Sequence, residues 1–428
     1  MQPLPLYIEM PCVTLVYPKW DKIPEQTEFH LPPHGPICVA ASIPEQYEVR
    51  FIDENVDEID FSRGTDVVLL SMMLTCQLPR GKEISAKYRE LGIPVIAGGI
   101  ATMLHAEEIA GHVDAVFLGE TEGGRLGGVL DDLEQGRLKS KYDYFHDFPP
   151  IESIGPARRE ILHDERYVYR GVRMVDLVHA SRGCRFNCFP CATAYLGGRK
   201  FRPRPIDRVI EELSGIDNNR LFLVDNSLAQ DKDWVMELFE AMIPLKKKWI
   251  SHPILDEEEV VAKAAEAGCW YVYQAVFDTS DVIRNRVKRL KDHGIGVEAA
   301  VLLGTDNQDA DYIKRLVEFL LEIDVDMAEF SILTPFPHTP VTERYAEQGR
   351  ILHKDWKRYT TAEVVYKPKN MSPEILQDMY VYAWETFYKD MPQSLRMARL
   401  FSEVVKKEMA DGTYSRRTLS AERKWSTD

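Results

Sequence analysis

The sequence lacks a long apolar run, and it lacks an excess of positive charge. No segment approaches the roughly 18 consecutive apolar residues of a membrane-spanning helix, and the N-terminal residues do not combine a basic stretch with an apolar one. The 68 acidic residues outnumber the 53 basic ones, for a net charge of -15. We therefore expect a cytoplasmic protein with no transmembrane segment, and the charge gives no reason to expect a nucleic-acid partner.

One stretch departs from this acidic balance. Residues 199–208, with the sequence RKFRPRPIDR, are basic. They suit an anionic ligand or a small acidic redox protein, and they are equally typical of a solvated loop that enters a helix.

The sequence also lacks the paired cysteines of a disulfide framework. Its seven cysteines are an odd number. Four of them stand singly in apolar surroundings and are expected to be reduced: Cys12, Cys38, Cys76 and Cys269. The other three lie close together, with no fourth cysteine nearby.

Short apolar runs alternate with helix-compatible segments over residues 1–140. Short strands separated by helices predict a parallel sheet, so we predict an α/β, doubly wound, Rossmann-like domain. Its ligands are expected at the carboxyl ends of the strands. Residues 141–173 are polar and contain proline, and we predict that they form a linker.

A second alternation, over residues 174–345, contains six strand–helix repeats. A closed TIM barrel has eight, so six predict a partial, TIM-like (β/α)6 barrel. Residues 346–413 are predicted to form a helical C-terminal region, in which Ser372 caps a helix that starts at Pro373. The tail, residues 414–428, is predicted to be disordered.

Cys184, Cys188 and Cys191 form a CxxxCxxC motif on the loop after the first predicted barrel strand. Thiolates at this spacing converge on a soft metal, either zinc or an iron–sulfur cluster. A structural zinc site wants a fourth ligand, and neither His179 nor His252 lies at a standard zinc spacing. A four-iron cluster on three cysteines leaves one iron open. We favour that interpretation over zinc and over a coincidence of core cysteines.

A CxxxCxxC motif at this place resembles the signature of the radical SAM enzymes. In that family the open iron of a 4Fe-4S cluster chelates the amino and carboxylate groups of S-adenosyl-L-methionine (SAM). The resemblance implies that the three cysteines are the cluster ligands. The family commonly has an aromatic residue directly before the third cysteine, whereas this chain has Pro190 there and Phe189 one position earlier.

The resemblance extends to other strand ends of the predicted barrel. It implies five SAM-binding candidates: Asp225, Asn226, Gln274, Glu298 and Gly304. For Asp225 the alternative is a strand-end cap, and for Glu298 it is a satisfied polar group. In the segment TPFPHTP, His338 replaces the glycine of a family motif, so it is a candidate catalytic residue with an exposed loop position as the alternative.

That last motif belongs to the cobalamin-dependent branch of the family, and residues 1–140 resemble its cobalamin-binding domain. The implied cobalamin contacts are Ser71, Thr75, Gly98, Gly99, Gly119 and Glu120. The motif DxHxxG is absent from the sequence, and neither His30 nor His34 fits it. The resemblance therefore implies base-off cobalamin without a histidine ligand. Cys76 is a weaker candidate for a cobalt ligand than for a buried core thiol.

The resemblance implies a cobalamin-dependent radical SAM methyltransferase, which methylates an unactivated carbon of a small-molecule or lipid/tetrapyrrole-like substrate through methylcobalamin and a 5'-deoxyadenosyl radical. An electron donor such as flavodoxin or ferredoxin is the implied partner. Two alternatives stay open: a non-methylating cobalamin-dependent cyclase or rearrangement enzyme, and a metal-stabilised cobalamin-binding carrier or sensor. Four C-terminal aromatic residues are expected either to close over the substrate or to pack onto the barrel: Tyr380, Trp384, Phe387 and Tyr388.

Overall fold

The computed structural model describes residues 10–21, 30–169 and 172–414. The chain divides into two compact units. The described part of the first, the N-terminal unit, is residues 10–21 and 33–166, and that of the second, the barrel unit, is residues 30–32, 167–169 and 172–414.

The N-terminal unit is built on one parallel sheet. Its six strands are β1 (Cys12–Tyr17), β2 (Glu48–Asp53), β3 (Val67–Ser71), β4 (Val95–Gly98), β5 (Ala115–Leu118) and β6 (Lys141–Asp143). They lie in the order β2-β1-β3-β4-β5-β6. Every residue of β1 and β3 is buried, as is typical of inner strands covered on both faces.

The helices of this unit are α1 (His34–Ala41), α2 (Leu78–Glu90), α3 (Ile100–Leu104), α4 (Ala106–Ala110) and α5 (Arg125–Glu134). The strand order reverses between β1 and β3, because the chain moves outward to β2 and then adds β3 on the other side. Open α/β sheets bind ligands in the crevice beside such a reversal, at the carboxyl ends of the strands.

Strand β6 begins at Lys141, inside the segment that we predicted to be a linker. It pairs with β5 and so extends the first sheet. The following residues contain short 3-10 turns at Ile151–Ser153, Arg159–Ile161 and Asp164–Arg166.

The barrel unit contains a second parallel sheet of six strands. They are β9 (Asp176–Val178), β12 (Arg220–Leu223), β13 (Lys248–Ser251), β14 (Cys269–Val276), β15 (Gly296–Leu303) and β16 (Met327–Ile332), paired in this sequential order. Two small antiparallel pairs flank β9: β7 (Val168–Tyr169) with β8 (Val172–Arg173), and β10 (Ser181–Arg182) with β11 (Arg202–Pro203). Sequential parallel strands alternating with helices agree with the predicted partial barrel.

The helices of the barrel unit are α6 (Thr193–Leu196), α7 (Ile206–Gly215), α8 (Lys232–Met242), α9 (Glu258–Glu266), α10 (Asp281–Asp292), α11 (Ala310–Glu322), α12 (Pro340–Glu347), α13 (Pro373–Phe387) and α14 (Gln393–Ala410). As predicted, Pro373 starts α13, and the Ser372 hydroxyl accepts the Ile375 N–H at 3.3 Å.

Helix α13 covers the edge of the sheet at β16. Tyr380, Trp384 and Phe387 are buried in the core that the helices form with the outer face of the strands. The Tyr388 hydroxyl donates to the Ala328 carbonyl at 2.7 Å and accepts the Ala328 N–H at 3.0 Å. These aromatic residues therefore pack onto the barrel, and the expectation that they close over a substrate is replaced by this structural role.

Helix α14 covers the amino-terminal ends of the strands. Its Leu400 and Val404 join the cluster that contains Phe222. The buried Arg220 at the start of β12 donates to Glu408 through Nε at 3.0 Å and through Nη2 at 2.7 Å. One end of the barrel is thereby closed, and the carboxyl ends of the strands face the loops that carry the cysteines.

Residues 415–428 of the predicted disordered tail lie outside the described residues. Within the part of the chain that the structure describes, every helix is too short or too polar to cross a membrane.

Candidate functional site

The three motif cysteines lie on the loop between β10 and α6. Cys184 is buried, whereas Cys188 and Cys191 are exposed. Burial, followed by the neighbouring thiols of Cys191 and Cys188, raises the pKa of the Cys184 thiol. Since these thiols interact electrostatically, a bound cation or cluster would relieve the repulsion between their thiolate forms.

The loop begins with a glycine that its fold requires. Gly183 has a φ of 75°, and a Cβ there would overlap the carbonyl oxygen of Lys200. Farther along, the Cys191 N–H donates to the Cys188 carbonyl at 2.8 Å. The backbone of the loop is therefore a defined turn.

Asp225 lies at the end of β12 and is buried against the start of this loop. Its carboxylate accepts the Ala180 N–H at 2.9 Å and the Ser181 hydroxyl. Burial raises the pKa of Asp225 to about 6, although these hydrogen bonds act in the opposite direction. The described contacts are those of the strand-end cap that we had kept as the alternative. Its neighbour Asn226 is exposed.

Gln230 holds the same loop, and our sequence analysis missed it. This buried side chain accepts the Arg185 N–H at 2.7 Å and donates to the Gly183 carbonyl at 3.3 Å. It therefore binds the two peptide groups on either side of Cys184. A glutamine next to a helix start has no pattern that would predict this role.

A cavity of about 800 Å³ opens beside the cysteine loop at the carboxyl ends of β14, β15 and β16. Phe189 and Pro190 line one side of it. The apolar lining residues at the strand ends are Ala275, Val276, Phe277, Ala300, Val301 and Leu302. The polar lining residues are Thr305, Asp306, Asn307, Gln308, Ser331 and Arg344. Half of Phe189 is exposed, and the Arg344 guanidinium carbon lies 5.7 Å from its ring centroid. Phe189 thus places an aromatic ring at the cavity, although Pro190 occupies the position directly before Cys191.

Gln274 and Glu298 lie on opposite faces of the barrel sheet. Val272 and Val276 pack into the core with the helices, so Gln274 between them shares that helix-facing side. Its Nε2 donates to the Ala275 carbonyl at 3.3 Å. This corrects the SAM assignment of Gln274, because the side chain points away from the barrel interior, here called the lumen.

Glu298 faces the lumen, where the Tyr271 hydroxyl donates to it at 2.7 Å. Burial, followed by the neighbouring Glu329 carboxylate, raises the pKa of Glu298 to about 8. Desolvation in the barrel also raises the pKa of Glu329, although part of this residue is exposed to solvent. At neutral pH Glu298 is therefore predominantly a protonated acid.

Aromatic rings line the lumen beside Glu298, whose partner in the strand register is Tyr273. The rings of Phe222 and Tyr273 are stacked with centroids 5.6 Å apart. His252 lies 5.6 Å from Tyr273, and its Nδ1 hydrogen-bonds the Asp225 carbonyl at 2.7 Å. Burial lowers the pKa of His252, which favours its neutral form.

Gly304 packs against the C-terminal region. It has a φ of 89°, and a Cβ there would overlap the Tyr366 hydroxyl, which donates to the Gly304 carbonyl. Gln308 accepts the Gly304 N–H at 2.7 Å and donates to the Leu302 carbonyl at 3.0 Å. The glycine is therefore required by internal packing, and Gln308 is a second buried amide that our sequence analysis missed.

His338 is exposed on the loop after β16 and has a φ of 61°. Its ring stacks on Tyr195 of α6, with centroids 4.6 Å apart and planes 8° apart. The residue therefore contacts the helix that follows the cysteine loop.

The glycines of the N-terminal unit also have structural roles. A Cβ at Gly99 would overlap the Met72 carbonyl oxygen, and at Gly119 it would lie 2.6 Å from the Tyr144 carbonyl oxygen. Close approach to other backbone segments therefore accounts for both residues. Gly98 has no such close neighbour.

The polar candidates of this unit differ in exposure. Thr75 is buried, and its hydroxyl lies 3.1 Å from Nε2 of His105, so one of its hydrogen-bonding positions is used within the protein. Ser71 is buried at the end of β3, and Glu120 is partly exposed after β5. Burial raises the pKa of Cys76 to about 12, so it is a neutral core thiol, as favoured.

Two apolar side chains that sequence analysis missed lie beside these strand ends. Met73 follows β3 and is 47% exposed, and Ile100 follows β4 and is 39% exposed. A separate cavity of about 290 Å³ is lined by residues of α1, by Gly123 and Gly124 before α5, and by Ser153 and Gly155. The carboxyl edge thus offers apolar surface and a cavity, where doubly wound sheets bind ligands.

Sequence comparison relates more than four fifths of the chain to methyltransferases. It is 26% identical over 394 residues to bacteriochlorophyllide d C-8(2)-methyltransferase of Chlorobaculum tepidum, with 82% of this chain and 86% of the relative covered. It is 25% identical over 387 residues to bacteriochlorophyllide d C-12(1)-methyltransferase of the same organism, with 84% and 83% covered. No protein-family model matches the chain.

A weaker match is an anaerobic magnesium-protoporphyrin IX monomethyl ester cyclase of Cereibacter sphaeroides, 24% identical over 56% of this chain and 42% of the cyclase. The methyltransferase alignments are longer and cover more of both chains, so they favour the methyltransferase interpretation over the cyclase.

The fold is similar to that of the radical S-adenosylmethionine methyltransferase TsrM from Kitasatospora setae, solved with cobalamin and a 4Fe-4S cluster bound. The TM-score is 0.62 at 17% identity, over 86% of this chain and 85% of TsrM. The two-unit fold and the three-cysteine loop are similar to the architecture of the radical SAM methyltransferases. The chain is similar to TsrM, solved with cobalamin bound, and to the bacteriochlorophyllide methyltransferases, which confirms the predicted resemblance and fold class.

Proposed function

We propose that this protein is a cobalamin-dependent radical SAM methyltransferase that methylates an unactivated carbon of a small-molecule, tetrapyrrole-like or lipid substrate. The observation that carries the proposal is the position of the three-cysteine loop, whose Phe189 and Pro190 line the 800 Å³ cavity at the carboxyl ends of β14–β16. Soft ligands and a cavity of suitable size thus meet in one place.

The residues fit the proposed cofactors. Cys184, Cys188 and Cys191 would hold the 4Fe-4S cluster and leave one iron for SAM, whose adenosine part would occupy the cavity beside Phe189. Base-off cobalamin would lie on the carboxyl edge of the first sheet, where the exposed Met73 and Ile100 suit its broad ring. Cluster and SAM would supply hydrogen-abstraction chemistry, and cobalamin would supply the methyl group.

The chain's own residues would position these groups and exclude water. Asp225 and Gln230 fix the start of the cluster loop, while α14 closes the opposite end of the barrel. The lumen offers the aromatic wall of Phe222 and Tyr273 and the protonated Glu298 as contacts for a ring-containing substrate. The bacteriochlorophyllide methyltransferases among the relatives make a tetrapyrrole the first substrate class to test.

The experiment is anaerobic reconstitution followed by product analysis. We expect about four irons per chain. With dithionite, or with a flavodoxin or ferredoxin donor, the enzyme should form S-adenosylhomocysteine and 5'-deoxyadenosine together in the presence of cobalamin and a bacteriochlorophyllide acceptor. Deoxyadenosine without S-adenosylhomocysteine would instead support the cyclase or rearrangement alternative.

Two variants separate the cluster from other thiol chemistry. Cys188→Ala is expected to lose the iron and the reductive cleavage of SAM. Cys12→Ala, which removes a buried thiol of the N-terminal unit outside the motif, should keep both. Stoichiometric zinc with no SAM cleavage in the reconstituted wild-type protein would refute the proposal and favour a carrier or sensor.

A further inference from the structure

Cys191 lies between two aromatic rings that contact another part of the barrel. Phe189 precedes it and Tyr195 follows it. The guanidinium carbon of Arg344 lies 5.7 Å from the Phe189 ring centroid, within cation–π range. The ring of His338 is stacked on Tyr195. Both partners come from the segment after β16, so that segment contacts the cysteine loop on each side of its third cysteine.

His338 adopts a backbone conformation that favours glycine. Its φ of 61° is in the left-handed region, which is unfavourable for a residue with a Cβ. Its side chain is exposed, so core burial does not offset this cost. The described contact of the ring is the stack on Tyr195, with planes 8° apart. At this position a histidine provides a ring that stacks on Tyr195, and a glycine would not.

The loop that carries His338 is well anchored. The hydroxyl of the buried Thr339 donates to the Phe336 carbonyl at 2.8 Å, and the Thr342 hydroxyl donates to the same oxygen. The Phe336 N–H donates to the Thr334 carbonyl at 2.9 Å. These hydrogen bonds fix the loop, so His338 is a firm support for a neighbouring segment.

We propose that His338 and Arg344 form a clamp on the Cys191 arm of the loop, residues 189–195, and that His338 is a positioning residue. The clamp holds the third cysteine at a fixed distance from the carboxyl ends of β14–β16. Its role in holding a cluster rests on the proposed function, whereas the clamp itself is testable in the protein without metal. His338 is thereby assigned a positioning role instead of a catalytic one.

The test is His338→Gly, which removes the stack and relieves the backbone strain. We expect the thermal midpoint to stay the same or rise. In the metal-free protein, tryptic cleavage at Arg185, Arg199 and Lys200 should become about three- to tenfold faster, the factor that corresponds to the loss of one aromatic stack. In the reconstituted protein, iron release to a chelator should accelerate by a similar factor.

The chain offers a matched control in His146, which has a φ of 62° and belongs to the N-terminal unit. His146→Gly should relieve the same kind of strain without changing cleavage of the cysteine loop. Tyr195→Leu should reproduce the effect of His338→Gly, and adding it to His338→Gly should give no further acceleration. Tyr195→Phe and His338→Phe each keep a stacked ring, so both variants should show the slow loop cleavage and iron release of the wild-type protein.

Wild-type rates of loop cleavage and iron release in His338→Gly would overturn the clamp. A fall in thermal stability that accounts for faster cleavage at all sites would overturn it too, because it would indicate a general structural role. If the wild-type protein binds no iron, the proposed function fails, and the cleavage rates of the metal-free variants still decide whether the clamp exists.

Discussion

Glu298 gives the most direct quantitative prediction, since its burial in the barrel imposes a cost that depends on pH. The pKa of a glutamate with the ordinary value of 4.5 is raised to about 8 here, first by burial and then by Glu329. At pH values below 4.5 the glutamate holds its proton in both the folded and the unfolded chain, and its burial then costs no folding stability. Between the two values the folded chain keeps a proton that the unfolded chain loses, so stability falls as the pH rises and becomes level above the higher value.

At about 1.4 kcal/mol per pKa unit, the cost at neutral pH is roughly 3 kcal/mol. Glu298→Gln removes it and keeps an oxygen that accepts the Tyr271 hydroxyl. We therefore expect the variant to be more stable by roughly 3 kcal/mol at neutral pH, with the gain disappearing at pH values near 4. Because Glu329 titrates together with Glu298, the figure belongs to the pair.

Tryptophan fluorescence during urea unfolding is a suitable assay, because the buried Trp249, Trp270 and Trp384 all belong to the barrel unit. The wild-type protein and Glu298→Gln should be compared from pH 4 to pH 9. A stability difference that stays constant across this range would refute the reasoning, since it would show that the carboxyl group does not titrate differently in the folded chain.

Two further predictions concern the loop and the closed end of the barrel. Asp225→Asn places an amide donor where the Ala180 N–H and the Ser181 hydroxyl already donate. The variant should lower the free energy of unfolding in urea by about 1–3 kcal/mol and lower the iron content of the reconstituted protein. Its control, Asn226→Ala, should change neither quantity. Glu408→Leu leaves Arg220 buried without its carboxylate and should cost about 3–5 kcal/mol by the same assay. On the same helix, Glu403→Gln removes an exposed pair with Lys406 and should leave stability unchanged, and equal effects of the two α14 substitutions would contradict the burial argument.

The sequence allowed the two-unit α/β architecture and the cysteine motif to be predicted, because both depend on local spacing. Strand periodicity identified the six barrel strands, and sequential strand order follows from parallel strand–helix repeats. The face on which a residue lies could also have been predicted. Gln274 shares its parity along β14 with Val272 and Val276, which mark the helix-facing side, and this signal was outweighed by the resemblance.

The direction of a polar side chain at a strand end could not be predicted in this way. Spacing places Asp225 at the right strand end for a ligand contact, but it does not show whether the carboxylate points to a ligand or to a neighbouring backbone. In the structure the Asp225 carboxylate accepts hydrogen bonds from Ala180 and Ser181, which lie 45 and 44 positions away in the chain. Such a contact depends on tertiary packing, and a single sequence carries no periodic signal for it.

The same limit explains three buried glutamines that share one role. Gln77 accepts the Met73 and Leu74 N–H groups at 2.8 Å and donates to the Pro18 carbonyl. Gln230 binds the peptide groups on either side of Cys184. Gln308 binds the Gly304 N–H and the Leu302 carbonyl. Each is nearly inaccessible to solvent, and each joins backbone donors and acceptors of a loop after a strand. A primary amide suits this task because it offers an acceptor and two donors without charge, whereas a buried carboxylate would carry a desolvation cost and lack the donors. In sequence a glutamine is typical of an exposed helix surface, so its burial beside a strand end becomes visible only in the folded chain.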